Sequence, residues 1–261
     1  MEPGEVVQKA KEKGIYVPFI MLTGHGNVET AVDAMKLGAY DFIAKPPDLN
    51  RLLTAVRHAI ENKTLKKENK MKTNYNEIIV EKKENAVWIT INRPEVRNAF
   101  REQTLDEMRE AVLETRNDTT ITCIVFSGAG KEAFSAGGDF YAMKRLNWSN
   151  AAHWNDRMLG LAMAIRGVPI PVIAMVNGYC MGGGHELALW CDLVICSETA
   201  VLGQTGARVG ACPTVGATQY LPRIVGERIA REMIFLCRTF TGKEAVDVGL
   251  ANKCVSQDKL L

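Results

Sequence analysis

The chain has 261 residues, of which 47% are hydrophobic and 24% charged, a composition ordinary for one large or two small globular domains. A net charge of +2 argues against a protein that binds nucleic acid or an anionic membrane through its overall charge. The seven cysteines are scattered through mostly apolar runs, without metal-ligand spacing, which predicts reduced thiols in a cytoplasmic protein and no metal site. No apolar run approaches the ~18 residues of a membrane-spanning helix, so no membrane span is expected.

Residues 1–62 are predicted to form a first unit in which helices alternate with short buried strands. The predicted helices lie at 5–13, 27–37 and 49–60, and the predicted strands at 16–22 and 40–44. Asp48 is placed to cap the last of these helices. Such alternation predicts parallel strands with helical crossovers. A lysine-rich run then predicts a solvated linker at 63–73.

Residues 74–261 form the second predicted unit, in which strands are repeatedly followed by helices. Strands are predicted at 75–80, 86–91, 121–126, 172–176, 193–196, 201–203 and 252–255, and helices at 104–115, from 140, at 151–166, after the glycines at 182–184, and at 217–224, 228–236 and 244–248. The stretch from Ala133 to Asp139 is predicted to be a small-residue loop. This order of elements predicts α/β architecture.

A glycine-rich junction follows the strand predicted at Val172–Val176. The strand stops at Asn177-Gly178, and Gly182-Gly183-Gly184 opens a helix that carries Glu186. Glycine lets the backbone come close to a ligand, and the first N–H groups of a helix are unpaired and partly positive. By itself, the junction is compatible with a phosphate cradle, an oxyanion site or a tight helix–strand contact.

A second junction of small residues ends in Gly137-Gly138. If the two junctions converge, two N–H groups can bind one oxygen that becomes negative during a reaction, and one such donor contributes roughly 100- to 1000-fold in rate. Neither junction has the Gly-Lys-Ser/Thr or GxGxxG pattern of a phosphate-binding loop. From these residues alone, glycines needed only for packing remain an equally good interpretation.

Three stretches of the second unit are similar to the crotonase (enoyl-CoA hydratase/isomerase) superfamily. They are INRP with RNAF at 91–100, AFSAGGD at 133–139 and GYCMGGGHEL at 178–187. The resemblance implies a spiral of ββα units, assembled as homotrimers or as hexamers, that acts on acyl-CoA thioesters through an enolate. Coenzyme A would arrive as part of the substrate, with no covalently bound cofactor. The family continues with C-terminal helices, so the resemblance also implies a C-terminally truncated domain.

The resemblance assigns roles to individual residues. Gly138 and Gly183 would donate the oxyanion-hole N–H groups, and Glu186 matches one of the two glutamates of family hydratases. The second glutamate position is Gly206 here, so a standard two-glutamate hydration is not expected. The loop of Ser135, Ala136 and Gly137 would bind substrate, with backbone atoms of its first two residues receiving the adenine end of CoA.

The loop of Gln204, Thr205 and Gly206 resembles a narrower branch of the superfamily that contains dihydroxynaphthoyl-CoA synthase and 2-ketocyclohexanecarboxyl-CoA hydrolase. This implies substrate contacts by all three residues and carbon–carbon bond chemistry of the Claisen type. A bicarbonate ion held by Gln204 and Gly206 is a further implication. The chain departs from the branch by having Glu186, which favours Glu186 as a lone acid/base acting on a cyclic or branched acyl-CoA.

Other polar and aromatic residues near these motifs are weaker candidates. His185 lies about 100° around the helix from Glu186, so it is not expected to share the site. Asp139 and Asp192 are predicted to cap or brace loops. Core packing or surface placement is favoured over a role in the acyl pocket for Tyr141, Lys144, Trp148 and Trp154.

The first unit resembles the second half of a response-regulator receiver domain, which is flavodoxin-like. FIMLTGHG at 19–26 and AYDFIAKP at 39–46 carry this resemblance. It implies that Thr23 is the switch hydroxyl and Lys45 the lysine that contacts a phosphoryl group. The phosphoacceptor aspartate of the family belongs to earlier strands that the chain does not contain, so a partial receiver without signalling chemistry is expected. A non-catalytic fusion or scaffold is therefore the alternative function.

Overall fold

The computed structural model describes residues 20–23, 41–44, 48, 50–56, 74–116 and 118–260. The chain divides into two compact units, residues 1–70 and 71–261. In the first unit, strands β1 (Ile20–Thr23) and β2 (Asp41–Ala44) pair in parallel, as the sequence predicted. Helix α1 spans 50–56, and the Asp48 carboxylate accepts a hydrogen bond of 2.9 Å from the Arg51 N–H, so the predicted cap is confirmed.

Several predictions for the first unit lie outside the described residues. These are the helices at 5–13 and 27–37, Lys45, and the linker at 63–73. The predicted switch residue, Thr23, is the last residue of β1.

The second unit contains ten strands and seven α-helices among the described residues. The strands are β3 (Ile78–Lys83), β4 (Ala86–Ile91), β5 (Cys123–Gly128), β6 (Ala133–Ser135), β7 (Val172–Val176), β8 (Tyr179–Met181), β9 (Leu193–Ser197), β10 (Val201–Gly203), β11 (Thr239–Thr241) and β12 (Lys253–Val255). The helices are α2 (Glu102–Thr115), α3 (Phe140–Met143), α4 (Ala151–Gly167), α5 (Gly183–Trp190), α6 (Ala217–Val225), α7 (Glu227–Leu236) and α8 (Gly242–Asp247).

These strands form two mixed sheets. One has the order β12-β9-β7-β5-β4-β3 and the other the order β11-β10-β8-β6. From β5 to β10, consecutive strands alternate between the sheets: β5, β7 and β9 belong to the larger sheet, and β6, β8 and β10 to the smaller. Helices follow each of these strand pairs. The second unit is therefore an α/β spiral of ββα units, as the resemblance implied.

The structure corrects the sequence prediction at three short strands. The predicted loop from Ala133 contains β6, and β8 lies between the Asn177-Gly178 turn and the glycine-opened helix. Strand β11 was also missed. Each has only three residues, too few to show a period of two, and each forms because a neighbouring strand pairs with it.

One large hydrophobic cluster joins the sheets and helices of the second unit. Helix α2 packs on α4, where buried residues such as Leu105, Met108 and Leu161 are inaccessible or nearly so to solvent. Burying a side chain of this size stabilises the fold by about 1.5–3 kcal/mol. The core also holds Trp190, the largest fully buried side chain of the described residues. Of the helices in the described part of the chain, none has the length and apolar character to cross a membrane.

Candidate active site

The two glycine junctions lie side by side because β6 and β8 are neighbouring parallel strands. Ala133 is opposite Tyr179 and Ser135 is opposite Cys180, so both strands deliver the chain to the same edge of the sheet. The contact after the strands is close: a methyl group on Gly137 would lie 2.8 Å from the Gly183 nitrogen. Gly137 also has a φ of +92°, which favours glycine. The two glycine junctions therefore converge in the fold, a point that the sequence alone left open.

The Gly138 N–H points away from the ladder that holds its neighbours. Phe100 donates its N–H to the Gly137 oxygen and accepts the Asp139 N–H, both at 2.8 Å. A parallel bridge of this kind uses the amides on either side of the central residue and leaves its own N–H unused. No acceptor among the described residues bonds to the Gly138 N–H.

The Gly183 N–H is unpaired because it belongs to the first turn of α5. Gly182 precedes it with a φ of +51°. The Gly182 N–H donates to the Gly203 oxygen, and the Gly182 oxygen accepts the Glu186 N–H, both at 2.9 Å. These bonds fix the turn, while the Gly183 N–H meets no acceptor in the described part of the chain.

Both junctions open into a cleft of about 640 Å³. Its wall near Gly138 is apolar, and a methyl group on Gly138 would collide with Met143 and lie 3.2 Å from Trp154 Cζ2. Side chains that line the cleft but were not singled out as site residues from the sequence include Phe100, Met143, Leu146 and Met158. Their only local signal was hydrophobicity, which does not distinguish a pocket wall from ordinary core.

Glu186 lines the cleft and is only 4% exposed. Its Oε1 accepts hydrogen bonds from the N–H groups of Val215 (3.0 Å) and Ala217 (3.4 Å). Trp190 donates its Nε1–H to the Val215 oxygen at 2.9 Å and so holds this segment in place. Burial raises the pKa of Glu186 above its usual 4.5, although the backbone N–H groups partly oppose the shift. Glu186 thus faces the cleft with a raised pKa, which suits its carboxyl group to proton exchange.

Asp139 is the other acidic residue among the described residues that line the cleft, and it is already engaged. It caps α3 by accepting the N–H groups of Tyr141 and Ala142, and it pairs with Arg93 at 3.0 Å. Burial works against its ionisation, but the hydrogen bond from Ala142 and the pairing with Arg93 outweigh it, so the pKa of Asp139 is lowered. Asp139 braces the loop, as predicted, and is not a second proton carrier.

Gln204 and His185 form a buried pair behind the glycine turn. The Gln204 Nε2 donates to the Gly182 oxygen at 3.2 Å and lies 3.0 Å from His185 Nδ1. Burial lowers the pKa of His185 to about 4, so the ring is neutral near pH 7 and its Nδ1 can accept. His185 does not line the cleft, as expected, but it positions a residue that does.

Thr205 and Gly206 line the cleft together with Gln204, while the substrate contacts that the resemblance implies for them stay a prediction. A bicarbonate ion fits these residues poorly, however. The amide nitrogen of Gln204 is already shared between the Gly182 oxygen and His185. Glu186 faces the same cleft, and when ionised it would repel a second anion in a site of low dielectric. The residues of this loop therefore do not form a bicarbonate site.

The loop predicted to receive the adenine end of CoA is held from within. Ser135 is fully buried, and its Oγ donates to the Asn98 oxygen at 2.7 Å and accepts the Gly137 N–H at 3.1 Å. Ala136 lines the cleft. The Ser135 side chain thus shapes the loop, while the predicted backbone contacts with adenine stay a prediction.

Two of the four residues weighed for the acyl pocket line the cleft and two do not. Trp154 is buried and lines the cleft, whereas Tyr141 lines it from the mouth and is 76% exposed. Lys144 and Trp148 are exposed and do not line it.

Asp192 accepts the Val172 N–H at 2.9 Å and pairs with Arg166, which confirms its predicted bracing role. No group of three or more metal-binding side chains occurs among the described residues.

A ββα spiral with paired, unused glycine N–H groups at the carboxyl ends of adjacent strands defines a protein of the crotonase type. Residues 81–261 match the family model for enoyl-CoA hydratase/isomerase. The chain belongs to the enoyl-CoA hydratase/isomerase family. Residues 4–57 match the response regulator receiver domain, in agreement with the partial receiver expected from the sequence.

Solved structures of similar proteins support this assignment. An enoyl-CoA hydratase from Bacillus anthracis is 31% identical, with a TM-score of 0.69 over 71% of this chain and 72% of its own. DspI from Pseudomonas aeruginosa is 31% identical, with a TM-score of 0.70 over 73% of this chain and 72% of its own. An enoyl-CoA hydratase from Mycobacterium avium subsp. paratuberculosis is 26% identical, with a TM-score of 0.64 over 72% of this chain and 71% of its own.

Proposed function

We propose that the unit at 71–261 is an acyl-CoA hydratase or lyase that stabilises a thioester enolate. The observation that carries this proposal is the side-by-side placement of the unused Gly138 and Gly183 N–H groups beside Glu186. Both N–H groups would donate to the thioester oxygen, whose negative charge grows as the enolate forms. Such donors act most strongly in a site that excludes water, and they need no reorganisation during the reaction.

Glu186 would carry the proton in a hydration without a second glutamate. Its carboxylate takes a proton from a water molecule as the water oxygen bonds to the β-carbon of an α,β-unsaturated thioester. The electrons of the double bond move to the thioester oxygen. Glu186 then returns the proton to the α-carbon as the enolate collapses, so the carboxylate is regenerated. Because Oε1 is fixed by Val215 and Ala217, Oε2 remains to face the substrate.

The same groups support ring opening of a cyclic β-keto thioester. Glu186 takes a proton from water while the oxygen bonds to the ring ketone carbon. The bond from that carbon to the α-carbon then breaks, and its electrons form the enolate. Glu186 protonates the α-carbon, which leaves a carboxylic acid at the other end of the opened chain. The resemblance of the 204–206 loop to the carbon–carbon branch supports this reaction on a cyclic or branched acyl-CoA.

The proposed setting follows from the same resemblance. CoA would enter with the substrate, its adenine end against the backbone of Ser135 and Ala136. A homotrimer or hexamer in the cytoplasm is proposed for the assembled enzyme.

Replacing Glu186 with Gln tests the proton carrier. The Gln oxygen can still accept from Val215 and Ala217, so the fold and the CoA affinity should change little. We expect turnover of an α,β-unsaturated or cyclic β-keto acyl-CoA to fall roughly 100- to 10,000-fold. Glu227→Gln is the matched control, because Glu227 is exposed and forms a surface ion pair with Arg231. Full activity in the Glu186 variant would show that the assigned role is wrong.

Titration with acetoacetyl-CoA separates the enzyme from the scaffold. A binding-competent oxyanion pair should stabilise the enolate form of this thioester, which is followed by its absorbance. Enolate formation that is lost on Gly138 or Gly183 substitution supports the enzyme. Neither enolate nor CoA binding would favour the non-catalytic scaffold.

A further inference from the structure

A second cavity, of about 370 Å³, shares part of its wall with the main cleft. Trp154 and Leu146 line both spaces. Trp154 is also the side chain next to Gly138, since its Cζ2 lies 3.2 Å from the position of a methyl group on that glycine. The second cavity therefore begins about one indole ring away from Gly138, one of the predicted oxyanion donors.

The second cavity is lined by charged residues that differ in how they are paired. Arg101 and Glu102 line it, but Arg101 is bound to the buried Glu77, and Glu102 lies 3.8 Å from Arg157. Arg145 also lines it and forms no ion pair with any carboxylate of the described residues. The cavity thus has one guanidinium whose charge no described carboxylate neutralises.

The backbone at Arg145 is fixed, although its side chain forms no hydrogen bond or ion pair with any of the described residues. Its N–H donates to the Ala142 oxygen at 3.1 Å, and its own oxygen accepts from Asn150 Nδ2 at 3.2 Å. Asn150 lines the same cavity. A guanidinium on an anchored backbone loses less conformational entropy on binding than one on a mobile loop, because only the side chain must be ordered.

We propose that this cavity receives the far end of the acyl group when that end carries a carboxylate, with Arg145 as the specificity-determining residue. The proposal rests on the proposed function of the main cleft. The methylene chain would pass the apolar Leu146 and Trp154 and end at a cation. A guanidinium fits a carboxylate through two parallel hydrogen bonds, which a lysine cannot reproduce. Ring opening of a cyclic β-keto thioester produces such a carboxylate, so the cavity favours that reaction over simple hydration.

The test compares paired thioesters that differ only at the far end. Saturated and α,β-unsaturated acyl-CoA thioesters of graded chain length are prepared with a terminal methyl or a terminal carboxylate. Binding is measured with the saturated pairs and kcat/KM with the unsaturated pairs. The full chain is used as wild type, Arg145→Gln and Lys144→Gln. Lys144 is the matched control, because it is the adjacent exposed cation and lines neither cavity.

At the chain length that reaches the cavity, wild type should prefer the carboxylated thioester. Arg145→Gln should lower that preference about tenfold, the effect of losing one charge-assisted hydrogen-bonded pair. Lys144→Gln should keep the wild-type preference. Equal preference in wild type and Arg145→Gln, or no preference at any chain length, overturns the inference. If the saturated pairs show the preference and neither the unsaturated thioesters nor a cyclic β-keto acyl-CoA is turned over, the cavity assignment stands and the proposed catalysis fails.

Discussion

Gly137 offers the sharpest test of the proposed oxyanion pair, because it lies where the loops after β6 and β8 touch and its own N–H is already bonded to Ser135 Oγ. In Gly137→Ala, the new methyl group would lie 2.8 Å from both the Gly183 nitrogen and the Met181 oxygen. Contacts this short force the backbone after β8 away from the loop after β6. The residue would also have to keep a φ of +92°, at a cost of about 1–3 kcal/mol for a residue with a Cβ.

The expected result is a large loss of turnover in a protein that still folds. Moving one N–H group out of reach of the thioester oxygen should lower kcat roughly 100- to 1000-fold. The assay is kcat on the substrate identified for wild type, together with the enolate absorbance on titration with acetoacetyl-CoA. Thermal unfolding measured in parallel reports the backbone cost separately.

Gly226→Ala supplies the matched control. Gly226 has a φ of +79°, and a methyl group there would meet no atom within 4 Å. It does not line the cleft. This variant should share the loss of stability but keep its kcat. A Gly137→Ala protein that is folded and retains kcat within a few-fold of wild type would refute the proposal that these two loops form the oxyanion hole.

Two further predictions concern pH. The acidic limb of kcat/KM should lie above pH 4.5, since the base form of Glu186 is needed and burial raises its pKa; a limb at or below that value would contradict the assignment. His185 is buried and its pKa is lowered from 6.5 to about 4, so its contribution to stability is present above pH 6.5 and is lost as pH falls through about 4. The free energy of unfolding, measured by urea titration, should fall by up to about 3 kcal/mol from this residue over that window. His153→Gln, at an exposed histidine, should keep the slope, and a flat profile in wild type would show that His185 does not titrate in this way.

The sequence predicted those parts of the fold that have a local signature. Strand β7 and helix α5 follow from a β-branched run, a turn and three glycines. Glu186 is 4% exposed, which fits a helix that continues with the apolar Leu187, Ala188 and Leu189. The cap at Asp139 follows from its place just before a helix.

Features that depend on long-range pairing could not be predicted from local patterns. The partners of Glu186 are backbone N–H groups 29 and 31 residues away, and a backbone donor leaves no trace in the residue types. The contact of His185 with Gln204 spans 19 residues and needs β10 to lie beside β8. Convergence of the two glycine junctions depended on β6, a strand too short to recognise, so only the family resemblance indicated it.

The pairing of β6 with β8 has a consequence for the angle at which a substrate oxygen is bound. Neighbouring strands lie about 4.8 Å apart, and an N–H···O bond spans about 2.9 Å between nitrogen and oxygen. Two nitrogens that kept this spacing just beyond the strands and shared one oxygen would subtend about 110° at it, near the angle between two lone pairs. In the proposed site, the sheet would set the direction in which the thioester oxygen is bound, while the proposed proton carrier and acyl wall lie on α5, α3 and α4. Substitutions on those helices could therefore change which acyl group is accepted, or how the proton is transferred, without changing how the thioester oxygen would be bound.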